Sequence, residues 1–455
     1  MAAGAAVAMS LAAGSALTQE LRGIQGTFSF DTRLEAGRNL ALETPAEGST
    51  LRGSSGLGLR LLSETRTERL LLDTGARFTL AREPNERVSE LSDPRLRLSY
   101  TRQGVDSLFE LRGNFRRARV DFLRDLDEFL DEDGVLELPA DFNELTGTGR
   151  RFDYDAEVRL ELGREAAPAG VTLSARLSGI DYTNAAANLN ERQRINLGAS
   201  GRLRLSPVMT ALVSVQHDRL EIDNPEQTDR RSNTATVGLA YALDPTTSLS
   251  ASIGASRIDT REFGLRSRSE GVVGNLDLAR ELPDGSISAQ LSASRVEAGQ
   301  RLSLSVGRAR ALPDGSISGQ IGASRGPDGG VNVIGNFGWN RQLPDGSVTA
   351  NLLREVRLTG EDEERVTTTV RLTYNHSFTD VSSVALRVNH AVSEPVGTTA
   401  RVSRTDFGAT YRHQITPDWA LDSGVTYRLR RERGVGSANS PSVFVALGRD
   451  FAFGL

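Results

Sequence analysis

The sequence predicts an all-β protein: a closed antiparallel transmembrane β-barrel of about 22 strands (range about 16–22), with short periplasmic turns and longer external loops. Three observations carry this. Segments of about ten residues alternate apolar and polar side chains through the chain. Tight-turn sequences recur between them. Beyond the N-terminal segment there is no apolar run of about 18 residues or more, so a chain that crosses a membrane must do so with strands closed on themselves.

The alternation is clearest in two segments. In VTTTVRLTYNH, Val370, Leu372 and Tyr374 share one face, while Thr369, Arg371, Thr373 and Asn375 share the other. In ALDSGVTYRLR, Leu421, Val425, Tyr427 and Leu429 oppose Asp422, Gly424, Thr426 and Arg428. A period of two with one apolar face is the transmembrane-strand pattern.

The turns set the count. LPDGS occurs at Leu282, Leu312 and Leu343. Proline presets φ, aspartate suits the next position, and glycine accepts the left-handed conformation that follows, so each is a tight hairpin. Weaker versions begin at Leu205, Leu243, Phe378 and Ile415, and SETRTER, TRQGVDS and REAAPAG (from Ser63, Thr101 and Arg164) fall where the same turn is due. Ten turns join twenty strands, and segments 26–38 and 442–453 add the first and the last. An even count suits a single-chain bacterial barrel. The polar stretches 82–92, 221–231 and 360–364 read as external loops. A β-solenoid is the competing fold, but it needs a constant short repeat rather than two classes of loop.

Composition agrees. A hydrophobic content of 38 % is low for large close-packed cores, yet suits a wall with one apolar and one polar face. All 54 basic residues are arginine, and against 59 acidic residues the formal charge is only −5, which offers no field for nucleic acid. The absence of cysteine excludes thiol catalysis, thiolate metal sites and disulfides. Residues 1–16 read as a signal peptide, an Ala-rich apolar stretch cut after Ala16 although no basic residue precedes it, and 17–455 as a single barrel domain. Tyr241, Trp339, Tyr374, Tyr411 and Trp419 lie near tight turns, as an interfacial aromatic girdle requires.

These features resemble outer-membrane β-barrel proteins of the porin type and, more loosely, barrels associated with exopolysaccharide secretion. The end of the chain, SVFVALGRDFAFGL, carries the resemblance furthest: Val443, Val445, Leu447, Phe451, Phe453 and Leu455 are in register, as in the terminal signal that the barrel-assembly machinery reads, with Arg449 interrupting the phase. The resemblance implies residence in the outer membrane among lipid and lipopolysaccharide and transport through the lumen; no enzyme activity is expected. Passage of small polar or anionic solutes is the first expectation; the alternatives are an exopolysaccharide export component that docks polysaccharide-secretion proteins, and a non-conducting structural or adhesive barrel.

One connection stands out. DFLRDLDEFLDEDGVLELPADFNELTGTG, residues 121–149, holds ten acidic residues, and Phe122, Leu123, Leu126, Phe129 and Leu130 have helical spacing. It counts as the third external loop, which in porins folds into the lumen. That comparison makes Asp125, Asp127, Glu128, Asp131, Glu132 and Asp133 a pore constriction facing Arg116, Arg117, Arg119 or arginines of other strands. A solvated acidic cap and a cation-binding surface are the competing readings.

No cofactor or metal site is expected; Asp131 to Gly134 lacks the ligand spacing of an EF-hand. His217, His376, His390 and His413 each fall in phase with apolar neighbours, on the lipid side near the interfaces; His217 beside Asp218 and His390 beside Asn389 are the candidates for a general base. Arg371, Arg387, Arg428 and Arg430 fall on the polar face as wall ladders.

Overall fold

The computed structural model describes residues 23–454 except 47, 85–86, 121–124, 132–133, 140–141, 143–148, 165–166, 185–188, 359–363 and 397–400. The predicted signal peptide and Leu455 lie outside the described residues. Twenty-two antiparallel strands close into one sheet. In chain order the first eight are β1 Ile24–Arg38, β2 Ser49–Glu64, β3 Glu68–Arg82, β4 Arg87–Gln103, β5 Ser107–Arg119, β6 Arg150–Leu162, β7 Ala169–Thr183 and β8 Glu191–Ser206. The next seven are β9 Met209–Asp223, β10 Thr228–Asp244, β11 Thr247–Glu262, β12 Leu265–Leu282, β13 Gly285–Val296, β14 Gly299–Leu312 and β15 Gly315–Arg325. The last seven are β16 Val331–Leu343, β17 Gly346–Leu358, β18 Glu364–Thr379, β19 Ser382–Pro395, β20 Val402–Gln414, β21 Trp419–Glu432 and β22 Gly436–Gly454.

All ten predicted turns fall between strands, and the strand count is the predicted one. Closure is physically required: in hydrocarbon an open edge would leave a row of unpaired N–H and C=O groups. Here β22 returns to β1, with Gln25 opposite Gly454 and Gly37 opposite Ser442. Side chains lock the seam. The Phe28 and Phe451 rings lie 6.1 Å apart, and the Phe453 ring fills the space above Gly26 that a Cβ would need.

The LPDGS glycines serve a purpose that the turn grammar does not supply. Gly285 has φ +150, but Gly315 and Gly346 are not among the residues of positive φ. A Cβ at any of the three would instead strike a backbone carbonyl of the next strand, that of Ala309, Asn340 or Asn375. The preceding aspartate explains the closeness. The Asp284, Asp314 and Asp345 carbonyls accept the Ala311, Gln342 and Ser377 amides at 2.7, 2.6 and 2.7 Å, joining each hairpin to the following one. The Asp284 and Asp314 carboxylates also meet Arg310 and Arg341, both at 2.8 Å.

The opposite rim is less uniform than expected. Stretches 87–92 and 228–231, expected as loop, belong to β4 and β10, so these strands run further than the polar composition suggested. Ion pairs carry the extension: Asp229 receives Arg219 and Arg231 at 3.3 and 2.9 Å. The connection between β11 and β12 is only Phe263–Gly264, with φ of +50 and +77. Two consecutive positive φ values make a type I′ hairpin, whose twist matches the strands. Length is concentrated at 39–48, 184–190 and, above all, 120–149.

The exterior is apolar at every second position, with Val213, Val237, Ile253, Ile321 and Val425 all at least half exposed. Arg449, the exception on the terminal strand, lies over the Phe451 and Trp419 rings at 4.2 and 5.3 Å and reaches Asp418 in the adjacent turn. That placement is how a long cation avoids hydrocarbon.

Candidate functional site in the lumen

The long connection between β5 and β6 folds inward and docks on the far inner wall. Its strands neighbour each other, and the 120–149 segment closes at its base through the Val120 amide on the Gly149 carbonyl, 2.9 Å. Its partners lie on β17 to β21, between six and ten strands round the ring through the β1–β22 seam. The predicted helix is a single 3₁₀ turn, Leu126–Phe129, capped by Asp125, whose carboxylate accepts the Asp127 amide; Phe122 and Leu123 lie outside the described residues.

Two carboxylates make the attachment. Asp127 places Oδ1 2.8 Å from Arg371 Nη1 and Oδ2 3.0 Å from Arg387 Nη1, and its Oδ1 also accepts Asn389 Nδ2 at 3.0 Å. Asp125 Oδ2 lies 2.9 Å from Arg428 Nη2. Between them the Leu126 amide donates to Asp406 Oδ2 at 2.7 Å. Further along, Thr369 Oγ1 donates to the Leu136 carbonyl at 2.9 Å, and Arg357 Nη1 to the Leu138 carbonyl at 3.0 Å.

Charges on the wall extend this contact. Glu35 on β1, with a side chain only 1 % exposed, meets Arg52 at 2.5 Å, Arg33 at 3.7 Å and Arg428 at 4.0 Å. Asp406 faces Arg404 at 3.7 Å. A buried carboxylate keeps its charge where guanidinium groups surround it, as at Asp125 of the segment. Burial pushes the Asp125 carboxyl up, but Arg428 and Arg404 outweigh it and hold the group below its ordinary range.

Apolar contact completes the docking. Leu126, Leu136, Leu138 and Phe142 form a buried cluster with Ala391 of β19 and Val402 of β20, and Phe129 and Leu130 pack against it. Phe129 also packs against a second cluster, Val120 and Leu189, on the side from which the segment starts. The segment thus spans the mouth from one wall to another.

The predicted residues separate accordingly. Asp125 and Asp127 are at the wall. Asp131 turns back on its own segment, accepting the Val135 amide at 2.7 Å. Glu132, Asp133 and the Glu128 side chain lie outside the described residues. The three local arginines are engaged on their own side: Arg116 meets Asp93 at 2.7 Å, Arg117 donates to the Leu91 carbonyl, and Arg119 meets Glu83 at 3.5 Å and Glu90 at 3.9 Å. The loop carboxylates meet arginines of other strands: Arg371, Arg387 and Arg428. Sequence reasoning placed these on the lumen face and allowed arginines of other strands as partners of the loop, but did not single out these three. Ala391 and Val402 were the available signal, two apolar residues at inward-phased positions of an otherwise polar face.

Comparison with known proteins bears on the fold. No family model and no curated protein matches the chain. Among solved structures it is similar to the FrpB iron transporter from Neisseria meningitidis, F5-1 variant (9% identity, 93% of this chain and 82% of that one, TM-score 0.55). It is also similar to the ferric-catecholate import receptor Fiu from E. coli K12 (9% identity, 96% and 82%, TM-score 0.54) and to the siderophore receptor PirA from Acinetobacter baumannii (9% identity, 95% and 81%, TM-score 0.53). The fold is that of a bacterial outer-membrane β-barrel. With its apolar exterior, that fold places the chain in the outer membrane. At such identities the likeness is one of fold and assigns no solute.

Proposed function

We propose that the barrel conducts small polar or anionic solutes across the outer membrane, through a lumen narrowed by the 120–149 segment. The observation that carries this reading is the reach of Asp125 and Asp127 to Arg428, Arg371 and Arg387 on strands far from their own. A barrel of about 22 strands encloses more space than its inward side chains fill, so selectivity needs an inward element. Fixed charges of both signs in a narrow passage supply it, because a solute that sheds part of its water there feels them strongly.

Liposomes reconstituted with the full chain test this. Swelling in isotonic small sugars or organic acids, faster for the smaller solute, is the expected result. Vesicles that remain tight to every solute, also when Asp125 and Asp127 are both replaced by asparagine, overturn it. Flux that appears only when a polysaccharide-secretion partner is added assigns the barrel to export instead.

A further inference from the structure

The inner wall under the docked segment is unbalanced. Among the described residues, the wall around Asp125 and Asp127 presents six arginines, Arg33, Arg52, Arg371, Arg387, Arg404 and Arg428, and two carboxylates, Glu35 and Asp406. The two loop aspartates reduce that excess. They do so from the end of a connection rather than from the wall itself, so the compensation is removable.

Three further observations say that the segment can leave intact. Most of its apolar cluster is its own: Leu126, Leu136, Leu138 and Phe142, with Phe129 and Leu130, against only Ala391 and Val402 from the wall. A backbone bridge between Leu130 and Leu136 and the Asp131 turn hold it together internally. The contacts are wet on one side: about a third of the Asp125, Asp127 and Arg387 side chains is exposed, while Arg371 and Arg428 are largely covered. Water and solute therefore reach the loop side of the ion pairs, while the wall adds only Ala391 and Val402 to the apolar contact.

We propose that Arg371, Arg387 and Arg428 form a binding site for multivalent anionic solutes, polycarboxylates above all, and that Asp125 and Asp127 occupy it until such a solute displaces them. The inference rests on the channel reading and adds to it the solute class and the way the passage opens. Asp127 shows the recognition pattern in miniature, one carboxylate oxygen for each of two guanidinium groups, with Asn389 donating beside them. A solute bearing two or three carboxylates reproduces that pattern and the Asp125–Arg428 contact together. It binds the released state only, so it shifts the equilibrium by mass action. A monovalent anion satisfies one guanidinium at a time and competes poorly with two aspartates on one chain.

The chain has no cysteine, so a single introduced thiol reports on the segment. Leu126 and Leu138 are buried in the docked state, 0 % and 4 % exposed. Leu126→Cys and Leu138→Cys are prepared separately in the full-length barrel in detergent, and maleimide labelling is timed with citrate or with sodium chloride of equal ionic strength. At citrate ten times above its dissociation constant, labelling at both positions rises about tenfold over the chloride control. In an Arg371→Gln, Arg387→Gln background the citrate response disappears. Equal rates in citrate and chloride at either position, or a citrate response that survives loss of both arginines, overturn the proposal. Labelling does not depend on solute flux, so failure here leaves the channel reading standing, and failure of the swelling assay leaves this result readable.

Discussion

Replacing Asp127 by asparagine keeps the size of the side chain and removes its charge, and the contacts fix the consequence. Asp127 receives Arg371 at 2.8 Å, Arg387 at 3.0 Å and Asn389 at 3.0 Å. Hydrogen bonds to charged groups contribute about 1.5–3 kcal/mol each. Here the carboxylate is 30 % exposed and Arg387 37 %, so solvent screening lowers both ion pairs towards the bottom of that range. An amide retains one acceptor oxygen and one weaker bond. The net loss is about 2–3 kcal/mol, and the ratio of docked to released segment falls about 30- to 150-fold. Limited proteolysis with a glutamate-specific protease reads that ratio, since cleavage after Glu137 requires Leu138 to leave its buried site, and the rate follows the open population when closing is fast. Cleavage no faster than in the parent chain would refute the reasoning.

Other expectations follow from particular contacts. Gly315→Val sets a branched side chain against the Asn340 carbonyl, and the yield of heat-modifiable folded barrel falls on gels; Gly408→Ala, which meets nothing within 4 Å, leaves it unchanged. Deleting residues 451–455 removes the last β22 partners of Phe28, Thr27, Gly26 and Gln25 and prevents assembly, whereas Arg449→Leu on the lipid side is tolerated; both are checked by the same gel shift. Docking also depends on pH. Arg428 and Arg404 hold the docked Asp125 carboxyl below its ordinary 3.8, outweighing burial. Its contribution is therefore complete above 3.8 and is lost as the pH falls through the lower docked value. Read as the difference in thiol accessibility at position 126 between the parent segment and Asp125→Asn at the same pH, this contribution stays constant from neutral pH down to about 4 and closes below it; a difference that closes already near pH 6 contradicts this.

Much of the fold was legible because a barrel wall is written locally. A strand needs only its own alternation, and a hairpin only its own turn, so ten turns and two terminal strands gave the count of 22. The polar ends of β4 and β10 were read as loops, since their polar composition hides a strand that ion pairs such as Arg219–Asp229 support. The LPDGS glycines were read through turn conformation, whereas contact with the neighbouring hairpin demands them.

The site was half legible. Its acidic segment stood out by composition, and Arg371, Arg387 and Arg428 by phase. Their meeting depends on closure, which brings β18 to β21 across the mouth from β5, and no local pattern encodes that distance. Ala391 and Val402, inward and apolar, were the trace of the docked segment on the wall.

Single-channel recording in planar bilayers tests the central claim most directly, with the parent chain beside a variant carrying both Asp125→Asn and Asp127→Asn. Discrete conductance steps in the parent, and longer or larger openings in the variant, are the predicted result. Identical records from the two, or silence from both, would contradict a lumen governed by the docked segment.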